Sequence, residues 1–398
     1  MNYLVVCTSG KWQVPIIRQA KSRGLTCIAI DENANAPGFE LADHIIVAEL
    51  SNLTYIVGEI RKITDEILGA ISFCSDAGIS LAQTLNRDFQ CPSRLLYDTE
   101  NAINKVSQRR LWEKNHIAQP NFKVFKSPEL AQLHGCTANF PLVVKPSDSS
   151  GSRGVSIVNH RIDLREAIES GFRFSKTGEI IIEDFMVGTE YTVEVLAIDG
   201  KVHVLLITRK VKVSEKTRTV SRELRSIPPD NHLYEKISEL AVSAFNALGI
   251  NNSPGHLEMI VDEEVGPVGV VEAAFRGGGF NLADRLVQLT TGFDLTDSCL
   301  DPYLNERKSV AEIGYNPSVL FFRPTQRGRL VKISGLDKAS EIQGVEIEIL
   351  GVLGEVYADP TTDGDRLCTI IATASSNAEL EEKMNRVEEF LEFSFEDS

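Results

Sequence analysis

Lys145 ends an apolar run, Leu142, Val143 and Val144, and opens a polar loop. The loop holds Ser150, Gly151, Ser152 and Gly154, and a second apolar run, Val155 to Val158, follows it. Glycines let backbone N–H groups approach an anion closely, and a lysine adds a point charge. A strand–loop–strand of this composition therefore suits a polyphosphate. It is not the G-x-x-x-x-G-K-[ST] loop, because Lys145 precedes the glycines and no helix is predicted after them. Taken alone, it reads equally as a β-hairpin with a flexible tip.

Residues 180–198 carry a second candidate constellation. A strand ends at Glu183, Asp184 to Val187 form an extended link with Phe185 and Met186, Gly188 turns the chain, and Glu190 opens an alternating strand. A purine needs an apolar slot and exposed backbone, and a ribose needs an acceptor for its hydroxyls. A strand–linker–strand with a carboxylate just beyond supplies both, although a hairpin with surface acids has the same pattern. In residues 255–279, Glu258 and Glu272 fall on two strands predicted to pair antiparallel, so their side chains converge on one face. Like charges side by side are unfavourable unless a cation lies between them, and oxygen-only ligands point to magnesium or manganese. Arg276 and the glycines after it, Gly277 and Gly278 first, put a guanidinium and bare backbone beside that pair, where an anionic substrate would fit. His256 reads as structural rather than as a ligand.

Residues 209–227 hold seven Lys/Arg against two Glu, Arg222 and Arg225 among them, in an acidic chain. Such a stretch is a candidate lid or anion contact, or a solvated loop.

These groups need elements to position them. Tyr3 to Cys7, a turn at Gly10, a helix and the strand Leu25 to Ile30 begin a parallel, doubly wound sheet that closes near Cys91 and Pro92. Only Gly10 is present in the first turn, so the G-x-G-x-x-G dinucleotide fingerprint is missing and a nicotinamide-dependent oxidoreductase is the outside reading. A helix is predicted from Asp98 or Thr99 to about Asn115, capped by either residue, and Lys105 within it reads as an exposed lysine. The tail reads as a small α+β cap, with an alternating strand at Val345 to Ile349 and a capping box at Ser376 and Glu379.

The chain has 398 residues, a net charge of −15 and a pI near 5.1. That length calls for two to four packed units, roughly. The acidity argues against nucleic acid as a partner. Seven scattered cysteines with no C-x-x-C pair read as reduced thiols, and no run approaches the ~20 apolar residues of a membrane span, so a cytoplasmic protein is expected.

Taken together, these motifs resemble the ATP-grasp superfamily, specifically its carboxylate–amine ligases such as L-amino-acid ligases, with purine-pathway carboxylases as further relatives. The resemblance implies an α/β and α+β architecture: a Rossmann-like N-terminal domain over 1–98, an ATP-grasp domain over 99–309, and a small α+β C-terminal domain over 310–398. Within the second, about 118–187 would form the nucleotide-covering subdomain. It implies ATP and Mg2+ (or Mn2+) as cofactors. Lys105 and Lys145 would contact phosphates, with Ser150, Gly151 and Ser152 in the loop that closes over them. Glu183, Asp184, Phe185 and Met186 would form the adenine-reading linker, and Glu190 would hold the ribose. Glu258 and Glu272 would be the metal ligands. Arg276 and Lys145 would be catalytic, and Arg276, Gly277, Gly278, Arg222 and Arg225 would face substrate. The family's E-x-N-x-R ending is here Glu272-Ala273-Ala274-Phe275-Arg276, so Ala274 lacks the amide oxygen that helps hold a second ion.

The reaction so implied joins a small-molecule carboxylate to an amine through an acyl phosphate, releasing ADP and phosphate. A bicarbonate-using carboxylase and a non-catalytic ATP-binding protein are the rival readings. Analogy also admits a homodimer.

Overall fold

The computed structural model describes residues 2–135, 137–214, 220–306, 310 and 313–396. The centre of the basic stretch, 215–219, lies outside the described residues. Among these residues, no helix is long and apolar enough to cross a membrane.

The first unit is a four-stranded parallel sheet in the order His44–Val47, Thr26–Asp31, Tyr3–Cys7, Gly69–Ile71. The two central strands are apolar at their buried positions, Leu4 to Cys7 and Cys27 to Ile30, because helices and neighbouring elements cover both faces. The helix Leu53–Ile63 buries Ile56 and Ile60 on one side, with Asn52 as its cap.

An eight-stranded antiparallel sheet dominates the rest of the chain. Its order is Gly266–Ala274, Pro254–Asp262, Thr189–Ile198, Lys201–Lys212, Ser221–Ser226, Ser318–Pro324, Arg366–Thr373, Val345–Ile349. The last three of these strands come from the tail. The predicted cap therefore extends the central sheet rather than standing apart from it, and a three-stranded sheet and the helix Asn377–Phe390 complete it.

The two-residue period of the strands decides which side chain goes where. Tyr191, Val193, Val195, Leu257 and Met259 bury against the helix Tyr234–Leu248 on one face. The opposite face carries Glu190, Thr192, Glu194, His256 and Glu258 at the positions in between, and further along it Leu206, Leu224 and Phe322 join the core shared with the first unit.

A smaller sheet stands over one end of this face, in the order Phe122–Phe125, Ile180–Asp184, Leu142–Pro146, Ser156–Val158. The helix Leu164–Phe174 packs Leu164, Ala167 and Ile168 beneath it. The single helix expected from Asp98 to Asn115 is two, Thr99–Ile103 and Lys105–Lys114. Asn104 interrupts them with an extended backbone, and its side chain caps the second by accepting from the Val106 and Ser107 amides.

Candidate active site

Glu258 and Glu272 are direct cross-strand partners, and Thr192 continues the same row. Lys105 approaches from the helix start with its Nζ 3.1 Å from Glu272, and it donates to the Ser149 carbonyl at 2.6 Å. It is buried rather than the exposed lysine its helix suggested, because the break at Asn104 turns that helix end into the cleft. The cleft measures about 730 Å³ and is lined by Asp76, Lys105, Ser150, Arg153, Glu272 and Arg276 among others.

Lys145 and Glu183 share a face of the small sheet, where Lys145 pairs with Ile181 and Val143 with Glu183. The two side chains meet at 2.9 Å, both almost fully buried. Arg109, one helical turn beyond Lys105, donates its Nε to the same carboxylate at 2.6 Å. Burial alone would raise the Glu183 carboxyl, but Arg109 and Lys145 hold it below the usual carboxylate range. Burial pushes the Lys145 ammonium down to about 8, with Glu183 opposing and Arg109 and Lys105 adding to the shift. Glu183 is thus the counter-ion of two cations.

Beyond it, Asp184 donates its amide to the Asn121 carbonyl and Phe185 donates to Pro141. Met186 lies over Gly269, where a Cβ would meet its sulfur at 2.8 Å. In the glycine and serine loop, Gly151 and Ser152 both take the left-handed backbone, and Arg153 Nε donates to the Ser150 carbonyl at 3.1 Å. Gly151 is solvent-exposed, whereas Ser150 and Ser152 are half-buried.

Glu190 is clasped by Lys210 and Lys212. Lys210 also lies 2.9 Å from Glu258, so one buried ammonium bridges two of the candidate carboxylates. Burial would lower the Lys210 ammonium, but Glu190, Glu258 and Asp363 hold it well above the ordinary lysine range. Glu258 is conversely held well below its ordinary value, because Lys210 and His256 outweigh burial.

His256 pairs across the ladder with both Ala274 and Glu194, and it hydrogen-bonds Glu194. Burial would lower it, yet Glu194 and Glu258 bring it up to about 9, so the ring beside Ala274 is an imidazolium at neutral pH. Glu194 also accepts the Gly278 amide at 2.9 Å, which fixes the triple-glycine segment to the sheet. Arg276 makes a two-point ion pair with Asp76 of the first unit, at 2.9 and 3.0 Å, and donates to the Gly277 carbonyl.

Two expected residues are not brought here. Arg225 pairs with Glu223 and Glu381, and Arg222 lies over the Phe321 ring and 3.6 Å from Glu388. Arg225 is the cross-strand partner of Arg209, one residue out of phase with Lys210, so the strand period sends it to the other face. Four residues that sequence reasoning passed over belong to the assembly: Asp76, Arg109, Glu194 and Lys210. The spacing of Arg109 four residues after Lys105 on one helix was a usable signal, and Lys210 lay unnoticed within the basic stretch. No local feature marks Asp76.

No group of three or more His, Cys, Asp or Glu side chains able to hold a metal occurs among the described residues. Two facing carboxylates nevertheless fit a hard cation such as magnesium. That ion is usually held by one or two carboxylates together with waters and substrate phosphates rather than by a full protein cage.

Residues 138–284 match the family model of the ATP-grasp domain, and residues 320–396 match L-amino acid ligase C-terminal domain 2. An uncharacterized protein of Sinorhizobium fredii, y4rH, is 23% identical over 397 residues, covering 97% of this chain and 81% of its own. A D-alanine–D-alanine ligase of Buchnera aphidicola is 33% identical over 128 residues, 31% of this chain and 41% of its own, so the match spans less than half of that enzyme. The crystal structure of an L-amino acid ligase from Bacillus licheniformis superposes with a TM-score of 0.83 at 21% identity, covering 100% of this chain and 99% of that one. This last likeness shows a shared fold from end to end. The chain thus carries an ATP-grasp domain over residues 138–284 and, after it, an L-amino acid ligase C-terminal domain over residues 320–396, on a fold shared with that solved structure.

Proposed function

We propose that this protein is an ATP-dependent carboxylate–amine ligase. The observation that carries this reading is Glu272, beside Lys105 and Arg276 in a cleft between the first unit and the ATP-grasp sheets, with Glu258 directly across the ladder from it. ATP is the phosphoryl donor. A substrate carboxylate oxygen attacks the γ-phosphorus, the bond to the β–γ bridging oxygen breaks, and ADP leaves. The amine lone pair then attacks the acyl carbon, the carbon–oxygen bond to phosphate breaks, and phosphate leaves with the new amide formed.

Such chemistry needs positioning and charge neutralisation more than a protein nucleophile. In this reading Lys105 and Lys145 neutralise phosphate oxygens, and Ser150, Gly151 and Ser152 cover them. Adenine recognition falls to Met186 and the carbonyls around it, because the Asp184 and Phe185 amides are bonded within the protein. Glu190 holds the ribose once Lys210 and Lys212 turn aside to the phosphates or to substrate. Glu258 and Glu272 would hold Mg2+, whose chemistry is to neutralise the phosphate oxygens on which charge builds up. Arg276, kept straight by Asp76, faces the acyl phosphate. The C-terminal match to L-amino acid ligases favours an amide product over a carboxylation.

The test is ADP and phosphate release against a matrix of carboxylic acids and amines with magnesium present. An acid and an amine should both be required. Release that depends on bicarbonate alone would replace this reading with the carboxylase one. Glu272→Gln should lower turnover on the order of a thousandfold while the fold is kept, and near-normal turnover would remove the pair from the mechanism.

A further inference from the structure

Glu272 faces the cleft because its strand carries one residue more than its partner. Ala274, Ala273 and Glu272 pair with His256, Leu257 and Glu258, but Val270 pairs with Met259, so Val271 has no residue opposite it. Val270 and Ala273 both join the core beside the helix Tyr234–Leu248. Strict alternation from Val270 would bring Glu272 to that same face. The extra residue resets the phase and sends Glu272 to the other face, with Glu258. This bulge lies on an edge. Gly266–Ala274 is the first strand of the eight-stranded sheet, with no further strand beside it among the described residues, so its outer N–H and C=O groups need other partners.

Side chains of the helix Lys105–Lys114 take the place of that missing strand. Arg109 donates Nη1 to the Val270 carbonyl at 3.1 Å and Nη2 to the Val271 carbonyl at 2.8 Å. Gln108 takes both backbone groups of Ala273: its Oε1 accepts the amide at 3.2 Å, and its Nε2 donates to the carbonyl at 2.6 Å. Nε2 also donates to the Asn101 carbonyl at 3.1 Å. Both amide hydrogens of Gln108 are thus committed to the protein, and the side chain is 1% exposed. It borders the cleft without a donor to offer a ligand.

We propose that Gln108 is a positioning residue of the metal site. It holds the strand on the Glu272 side of the bulge, as Arg109 does on the other side, and so keeps Glu272 on the cleft face. The assignment rests on the reading that Glu272 holds the divalent ion. With the Gln108 bonds gone, the unpaired position samples Ala273 as well as Val271, and each excursion sets Glu272 opposite Leu257, off the cleft face. Lys105 begins the same helix with its Nζ 3.1 Å from Glu272, so the clamp also fixes the phosphate lysine against the metal carboxylate. Arg109 is the poorer probe, because it also carries Glu183.

The experiment is isothermal titration of the full chain with a non-hydrolysable ATP analogue, with and without Mn2+, for the wild type and Gln108→Leu. Leucine keeps most of the bulk and removes the bonds. The gain in affinity that Mn2+ brings reports how well the protein holds the ion. Removing a group that orients a metal ligand costs about 10–100-fold in metal affinity, so the gain should shrink by about that factor in Gln108→Leu. The affinity without Mn2+ should stay the same, which a general loss of structure would not allow. A measurement on the wild type covers a variant that fails to fold: in the metal-free protein the Ala273 amide should exchange with solvent as slowly as the amides of Thr189–Ile198, inside the sheet. Exchange of Ala273 at the rate of an unpaired edge, or an equal Mn2+ gain in folded Gln108→Leu, would overturn the Gln108 assignment and leave the metal reading standing. No gain from Mn2+ in the wild type would overturn both.

Discussion

At the scale of single residues, the site is a set of charges held in place by other charges. Glu183 is almost fully buried and serves both Arg109 and Lys145. Replacing it by glutamine leaves two buried cations without their anion, so Glu183→Gln should lower stability by about 3–5 kcal/mol. Urea unfolding measures this directly, and a loss near zero would mean the cations find other partners. Lys145 gives a pH prediction with two opposite signs. Its ammonium is pushed down to about 8, first by burial. An unfolded lysine keeps its proton to about pH 10.4, so above pH 8 the unfolded chain binds the extra proton and this group's contribution to stability rises with pH. ATP, by contrast, needs the charged form. Its affinity should fall about tenfold per pH unit above pH 8 while the fold is held. Isothermal titration between pH 7 and 9.5, roughly the span on either side of that value, would show it, and a flat profile would separate Lys145 from the phosphates.

Elements decide which of these charges could be read from sequence. That Glu258 and Glu272 lie on two adjacent antiparallel strands was legible from the apolar runs and the short turn between them, but two register shifts between that turn and Glu258 set their direct pairing, and only the fold shows those. The parallel first unit was likewise legible in its apolar runs. Lys105 was not, because one extended residue at Asn104 redirects a helix that periodicity alone would continue. Asp76 with Arg276, and Arg109 with Glu183, join residues far apart in the chain, and only the assembled fold supplies such partners. Arg222 and Arg225 mislead because composition counts charges and not faces. The triple-glycine segment is an element whose dimensions can be tested. A Cβ on Gly278 would lie 2.7 Å from Glu194 and 3.1 Å from the His256 ring. Gly278→Ala should push Glu194 off His256 and displace the loop that carries Arg276. Misplacement of about 1 Å costs on the order of a hundredfold in rate, so turnover should fall by about that factor with the ATP affinity retained. Unchanged turnover would show that the loop tolerates the shift.

At the scale of the molecule, the same loop joins three parts. Gly277 donates to Phe73 of the first unit, Gly278 to Glu194 of the central sheet, and Phe280 meets both Trp12 and the tail's Arg366. Phe280 thus packs between the first unit and the tail at the end of the loop that carries Arg276, so a displacement of that loop would be felt there. The chain has two tryptophans, which makes this visible. Trp12 is half-buried with its ring centroid 5.0 Å from that of Phe280. Trp112 is fully buried, and its indole N–H donates to the Ala244 carbonyl at 3.1 Å, away from the loop. Ring contacts and solvent exposure both set indole emission, so a shift of Phe280 should alter Trp12 and leave Trp112 as a constant background. Addition of magnesium, ATP and an amino acid should therefore change the emission of the wild type, and Trp12→Phe should abolish the change while its ADP formation persists. A change that survives in Trp12→Phe would place the motion on the helix Lys105–Lys114 instead, and the three parts would then be coupled through the phosphate lysines rather than through the glycine loop.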